Sequence, residues 1–187
     1  MSEHVVERYL SGQVALVTGV AQGNGRAIAA ELGRRGAELV LVDIDPQGVE
    51  ESAEVLCQEG VQAMTIPADC SKVDDIRRAV ATATRSCERI DILVNNARAI
   101  MGRDRVPVTE LSKEVWDHFL AINTTAVFLC TKAASREMVR QGNGGRIINI
   151  ASNAAKQASA RGAAYSASKF AVIGLTQASA LDLAPYG

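Results

Sequence analysis

Residues 14–25 read V-A-L-V-T-G-V-A-Q-G-N-G, and this stretch restricts the fold more than any other in the chain. Val14, Ala15, Leu16 and Val17 form a short continuous apolar run, as a strand buried on both faces requires. Small residues follow, and from Arg26 a helical pattern begins with Ala27, Ile28, Ala30, Glu31 and Leu32. A strand, a glycine turn and a helix in that order can hold a dinucleotide. Gly19 allows a tight turn at the strand end. Gly23 and Gly25 let a pyrophosphate reach backbone N–H groups at the helix N-terminus, where the dipole favours negative charge. Gln22 and Asn24 complete the loop and count with the glycines as cofactor-binding residues. The spacing is T-G-x-x-x-G-x-G rather than G-x-G-x-x-G, so its weight comes from the elements around it.

Those elements alternate. Residues 1–13 are a lead-in. Glu38 to Asp43 reads as a second strand, and Asp45-Pro46 starts a helix reaching about Glu59. Val61 to Pro67 is a third strand, Val73 to about Cys87 a helix, and Ile90 to Val94 a fourth strand ending in Asn95-Asn96-Ala97. After a loop rich in charge and glycine come a short helix from Ser112 and a long apolar one from about Asn123 to Arg140. Arg146 to Ile150 is a fifth strand, and Tyr165 to Leu183 a last helix. Strands alternating with helices imply βαβ units. The expected class is α/β, a Rossmann-type doubly wound parallel sheet with helices on both faces.

At 187 residues this is one domain by length. The 20 basic and 21 acidic side chains nearly cancel, which gives no reason to expect nucleic acid or a membrane surface as partner. Cys57, Cys70, Cys87 and Cys130 are scattered, and only His4 and His118 could join them, so no metal site is expected. The start lacks the form of a signal peptide and no apolar run reaches spanning length, so the expected location is the cytoplasm.

Several polar residues fall where such a sheet binds ligands. Asp43 ends the second strand, 18 residues after Gly25. An acid there accepts hydrogen bonds from ribose hydroxyls and repels a 2′-phosphate, favouring NAD over NADP. Asp69 either caps the following helix or touches the adenine, and Asn95 and Ala97 sit at the end of the fourth strand, on the glycine-loop edge. Tyr165 and Lys169 are four apart and share a helix face. A free phenol titrates near 10, and a nearby ammonium favours the phenolate, which makes the pair a candidate acid/base. Ser152 follows the fifth strand, 13 residues before Tyr165, and its hydroxyl could meet the same substrate oxygen. No G-x-S-x-G elbow exists, which excludes one common hydrolase design.

Taken together, Thr18-Gly-Val-Ala-Gln-Gly-Asn-Gly25, Asp43, Asn95-Asn-Ala97, Asn123, Ser152 and Tyr165-Ser-Ala-Ser-Lys169 resemble the short-chain dehydrogenase/reductase family, from about residue 11 to the last residue. The resemblance implies hydride transfer between NAD(H) and a secondary alcohol or ketone, such as a polyol or sugar. It makes Tyr165 the acid/base, Lys169 its electrostatic partner and a holder of the nicotinamide ribose, and Ser152 the group that positions the substrate oxygen. Asn123 would help hold a water that relays protons through Lys169. It also implies a homo-oligomer, dimer or tetramer, packed through the helices near residues 124–134 and 170–180. Two departures stand out. Arg98 replaces the glycine that usually follows Asn-Asn-Ala, and a long cation there either points to solvent or crowds the nicotinamide end. The sequence as printed stops soon after the catalytic helix, where the family continues. The expectation is therefore one dinucleotide-binding and catalytic domain over residues 1–187, a fragment or the ordered part of a longer dehydrogenase, lacking the family's substrate-covering part and with its fifth strand at the sheet edge. Two other readings are an NADPH-linked keto-reductase, disfavoured by Asp43 and by Gln22 not being basic, and a non-catalytic dinucleotide-binding protein, disfavoured by the intact Ser152, Tyr165 and Lys169.

Overall fold

The computed structural model describes residues 7–100 and 102–187; His4 and the first six residues of the lead-in lie outside the described residues. Five strands, β1 (Val14–Thr18), β2 (Glu38–Asp43), β3 (Ala63–Pro67), β4 (Ile92–Asn95) and β5 (Arg146–Asn149), form one parallel sheet in the order β3-β2-β1-β4-β5. The order reverses between β1 and β4, which opens a crevice at their carboxyl ends. The fold is the doubly wound Rossmann type expected from the sequence.

Residue parity sorts the core into two layers. Ala15, Val17, Leu39 and Leu41 point to one face, where helices α1 (Gly23–Arg34) and α2 (Pro46–Gln58) bury Ala29, Val49, Ala53 and Leu56 against them. Leu16, Val40, Val42 and Leu93 point to the other, covered by α3 (Val73–Cys87) and α5 (Ala126–Gln141) through Ile76, Ala79, Ala126, Cys130 and Ala134. Burial on both faces explains the unbroken apolar runs, since alternation would leave polar side chains inside.

The boundaries differ from expectation where tertiary contacts override local preference. Helix α1 starts at Gly23, three residues earlier than the pattern suggested. Strand β4 starts at Ile92, two residues later than the apolar run, and the Asp91 carboxylate before it accepts from the Val14 N–H and from Arg89. The two helices expected from Ser112 and Asn123 are one bent rod: α4 (Lys113–Leu120) runs through a π-turn, Ala121–Thr125, into α5. Helix α6 (Ala163–Leu183) packs against α4, the π-turn and α5. Strand β5 is the last strand of the sheet among the described residues, and a groove of about 250 Å³ lined by Met138, Val139, Ile147 and Leu183 runs beside it.

Candidate active site

The glycine loop is shaped by its neighbours on β1 and β4. Gly19 has φ +73°, and a Cβ on it would sit 2.7 Å from the Ala97 Cα, so the loop and the end of β4 touch through backbone. Gly25 is buried, and a Cβ there would run into the Gly19 carbonyl oxygen; its role in the structure is this close approach of helix to strand. Gly23 differs, with φ +60° and nothing within 4 Å of an added Cβ. Gln22, Gly23 and Asn24 are exposed, α1 has no side-chain cap, and no acid lies in its first turn. Its N-terminal N–H groups are thus left open to an anion, which fits a dinucleotide diphosphate.

Three residues that the sequence reading did not place in the site, Thr18, Asn96 and Arg26, hold the loop. The Thr18 Oγ1 accepts from the Asn96 and Ala97 N–H groups, both at 3.1 Å, and the Asn96 amide donates to the Thr18 and Gly19 carbonyls at 3.0 and 2.9 Å. The Arg26 guanidinium donates to the Ala21 carbonyl and to the Ser52 hydroxyl. Asp43, half-buried, accepts from the Ala21 N–H at 2.9 Å and the Asp45 N–H at 3.1 Å. It therefore stands beside the loop, with further lone pairs free to accept.

Asn95 and Asp69 make contacts within the protein that the sequence did not point to. The Asn95 amide is buried and donates to Thr131 on α5 and Asn149 on β5, at 3.1 and 2.8 Å, so it faces away from the loop that Asn96 holds. The signal for this was parity: Leu93 and Asn95 share a face of β4, and Leu93 faces α5. Asp69 does not cap α3, whose N-cap is Lys72; its carboxylate accepts from the Ser71 N–H and hydroxyl. Burial works to raise its pKa, but the Ser71 bonds and Lys72 outweigh it and hold the carboxyl below the ordinary value.

Across the crevice, the expected reactive residues gather around the start of α6. Tyr165 is half-buried with its ring edge-on to Phe119, centroids 6.4 Å apart. Lys169, one turn later, is buried and donates to the Ile150 carbonyl at 2.7 Å. Burial, with the Arg98 charge adding to it, pulls the Lys169 ammonium down to about 8. Asn123, fully buried in the π-turn, accepts from the Ala99 N–H at 2.8 Å and donates to Ser168, which donates in turn to the Tyr165 carbonyl. One amide thus ties the chain beyond β4, the helix bend and α6 together. Ser152 lies in the turn packed on α6, and its hydroxyl accepts from the Ala154 N–H at 3.2 Å. Arg98 is exposed, its backbone is outside the positive-φ region that favours glycine, and its Nη1 donates to the Ala99 carbonyl at 3.4 Å. No group of three or more His, Cys, Asp or Glu among the described residues could hold a metal.

A glycine loop on a parallel sheet facing a Tyr–Lys pair defines a nucleotide-linked oxidoreductase architecture. The short chain dehydrogenase family matches residues 13–187, and the chain belongs to that family, whose members bind a nicotinamide dinucleotide. It is 38% identical to the sorbitol dehydrogenase of Cereibacter sphaeroides over 95% of this chain and 67% of the relative. It is also 38% identical to the 5-keto-D-gluconate 5-reductase of Escherichia coli K12, over 94% of this chain and 67% of that protein. An NAD⁺-bound xylitol dehydrogenase structure superposes with a TM-score of 0.91 at 35% identity, covering 95% of this chain and 67% of that one. A metagenomic short-chain oxidoreductase in complex with NADP superposes at 0.88 and 36% identity, covering 95% of this chain and 79% of that one. The chain spans about two-thirds of the length of the curated relatives it matches. It is an oxidoreductase, and its relatives include proteins named for sorbitol, keto-gluconate and xylitol and one named for a 3β-hydroxysteroid.

Proposed function

We propose that residues 1–187 serve as a single dinucleotide-binding and catalytic domain of an NAD-preferring enzyme interconverting a secondary alcohol and a ketone on a polyol, sugar or sugar acid. The reading is carried by one observation: Tyr165, Lys169 and the Asn123 tie stand opposite an anion-ready glycine loop. When bound, the nicotinamide supplies the hydride exchange. Gly19, Gln22, Gly23, Asn24 and Gly25 form the loop that receives the diphosphate, Asp43 accepts from the ribose hydroxyls, and Asp69, Asn95 and Ala97 shape the surrounding walls. Tyr165 exchanges a proton with the substrate oxygen, which Ser152 positions. Lys169 favours the phenolate and holds the nicotinamide ribose, while Asn123 fixes the floor and, as in the resembled family, a relay water. The relatives named for sorbitol, xylitol and keto-gluconate support the substrate class. Four free cysteines fit a reducing compartment, in line with a cytoplasmic enzyme. Helices α5 and α6 are the surface for a homo-oligomer.

The test has two arms. Tyr165→Phe should lower turnover of a polyol on the order of 10²–10⁴-fold while NAD affinity stays close to the parent's. Side-by-side titration should show NAD binding tighter than NADP by about 1–3 kcal/mol, because a 2′-phosphate loses the Asp43 bonds and meets its charge. Undiminished turnover in the phenylalanine variant, or equal affinity for the two dinucleotides, would overturn the corresponding half of the reading.

A further inference from the structure

Arg98 has no part in the proton or hydride chemistry above, yet it stands beside that chemistry. It follows Ala97, whose backbone touches the glycine loop, and precedes Ala99, which Asn123 holds and which packs with Phe119, Ala164 and Tyr165. Its Nη1 donates to the carbonyl of Ala99, a residue of the cluster that holds Tyr165. No carboxylate pairs with Arg98 among the described residues. Arg89, by contrast, is locked onto Asp91 at 2.7 Å. The Arg98 charge reaches buried Lys169, so an anion held by Arg98 would ease both cations. A guanidinium offers a planar fork of N–H donors that matches a carboxylate.

We propose that Arg98 is the specificity residue of this site, selecting substrates that carry a carboxylate, sugar acids over neutral polyols. The inference rests on the oxidoreductase reading and narrows its substrate class. The other anion nearby is the cofactor diphosphate. Its proposed place is the open N-terminus of α1, whereas Arg98 borders Ala99 of the Tyr165 cluster.

D-gluconate and sorbitol differ only in a terminal carboxylate and make paired probes. The lone tryptophan, Trp116, packs in the Tyr165 cluster, so its fluorescence reports binding to the NAD-loaded protein. Gluconate should bind at least about ten-fold tighter than sorbitol, and Arg98→Gln should weaken gluconate on the order of ten- to a hundred-fold, with a far smaller change for sorbitol. Arg98→Lys should recover part of the preference, keeping the charge but not the fork. Equal affinity of the parent protein for both probes, or a preference that survives Arg98→Gln, overturns the proposal. So does an Arg98→Gln variant that loses NAD affinity as steeply as gluconate affinity, because the cation then serves the cofactor. Reduction of NAD by either probe is a separate reading: an Arg98-dependent preference without any turnover overturns the hydride-transfer reading and leaves the anion assignment standing.

Discussion

Lys169 carries its charge in a buried place, and the pH dependence of stability should record it. In the folded, cofactor-free protein its ammonium titrates at about 8, against an ordinary value of 10.5. Between those values the unfolded chain holds a proton that the folded chain has released, so the free energy of unfolding rises with pH through that window. Below pH 8 the full cost of burying the cation is present. Each pK unit corresponds to about 1.4 kcal/mol, which sets an upper bound of about 3 kcal/mol. Urea denaturation from about pH 7 to about pH 10 should therefore show the parent protein gaining stability relative to Lys169→Met. Parallel curves would mean that the lysine is not strained in the fold. At this scale the sequence was informative about identity and weak about direction. Tyr165 and Lys169 were legible because spacing puts them on one helix face. Asn95 and Asn96 were not told apart, because adjacent residues on a strand point oppositely and only the sheet says which way faces the loop.

Helix α1 shows how an element can begin against its own propensity. Glycines disfavour a helix interior, so the apolar pattern from Arg26 marked its start too late, while the structure begins it at Gly23. The compensation is contact. Without side chains at Gly19 and Gly25, the helix can rest directly on the strand end. Gly25→Ala should force the helix off the Gly19 carbonyl and the Asn96 amide, lowering stability by about 2 kcal/mol or more and abolishing tight dinucleotide binding. Gly23→Ala meets nothing and should cost only the positive-φ strain of about 1 kcal/mol. Thermal melts and NAD titration of the two variants compare them directly, and equal effects would refute the close-packing account. The bent rod of α4 and α5 was invisible for a related reason. Asn123 at its bend looks like a poor helix residue until Ala99 and Ser168, far away in sequence, supply its partners.

In the whole molecule, the five strands and a sheet covered on both faces were legible from the apolar runs, whereas the order β3-β2-β1-β4-β5 came only from the structure. Assembly was not legible, since one surface does not reveal what covers it. Phe128 on α5 and Phe170 on α6 are 43% and 46% exposed, which is costly for aromatic side chains left in water. Light scattering at micromolar concentration should give at least a dimer, and Phe128→Glu combined with Phe170→Glu should return a monomer. A monomeric parent would remove α5 and α6 as the association surface. The glycine loop bears on a different property. Thr18, Asn96, Arg26 and Asp43 hold its backbone in place through the protein's own hydrogen bonds. The entropy of ordering that loop is incurred once, when the chain folds, and is not incurred again at each capture of a dinucleotide. On the proposed reading, cofactor exchange at this edge of the sheet should follow diffusional encounter and the lifetime of the diphosphate contacts.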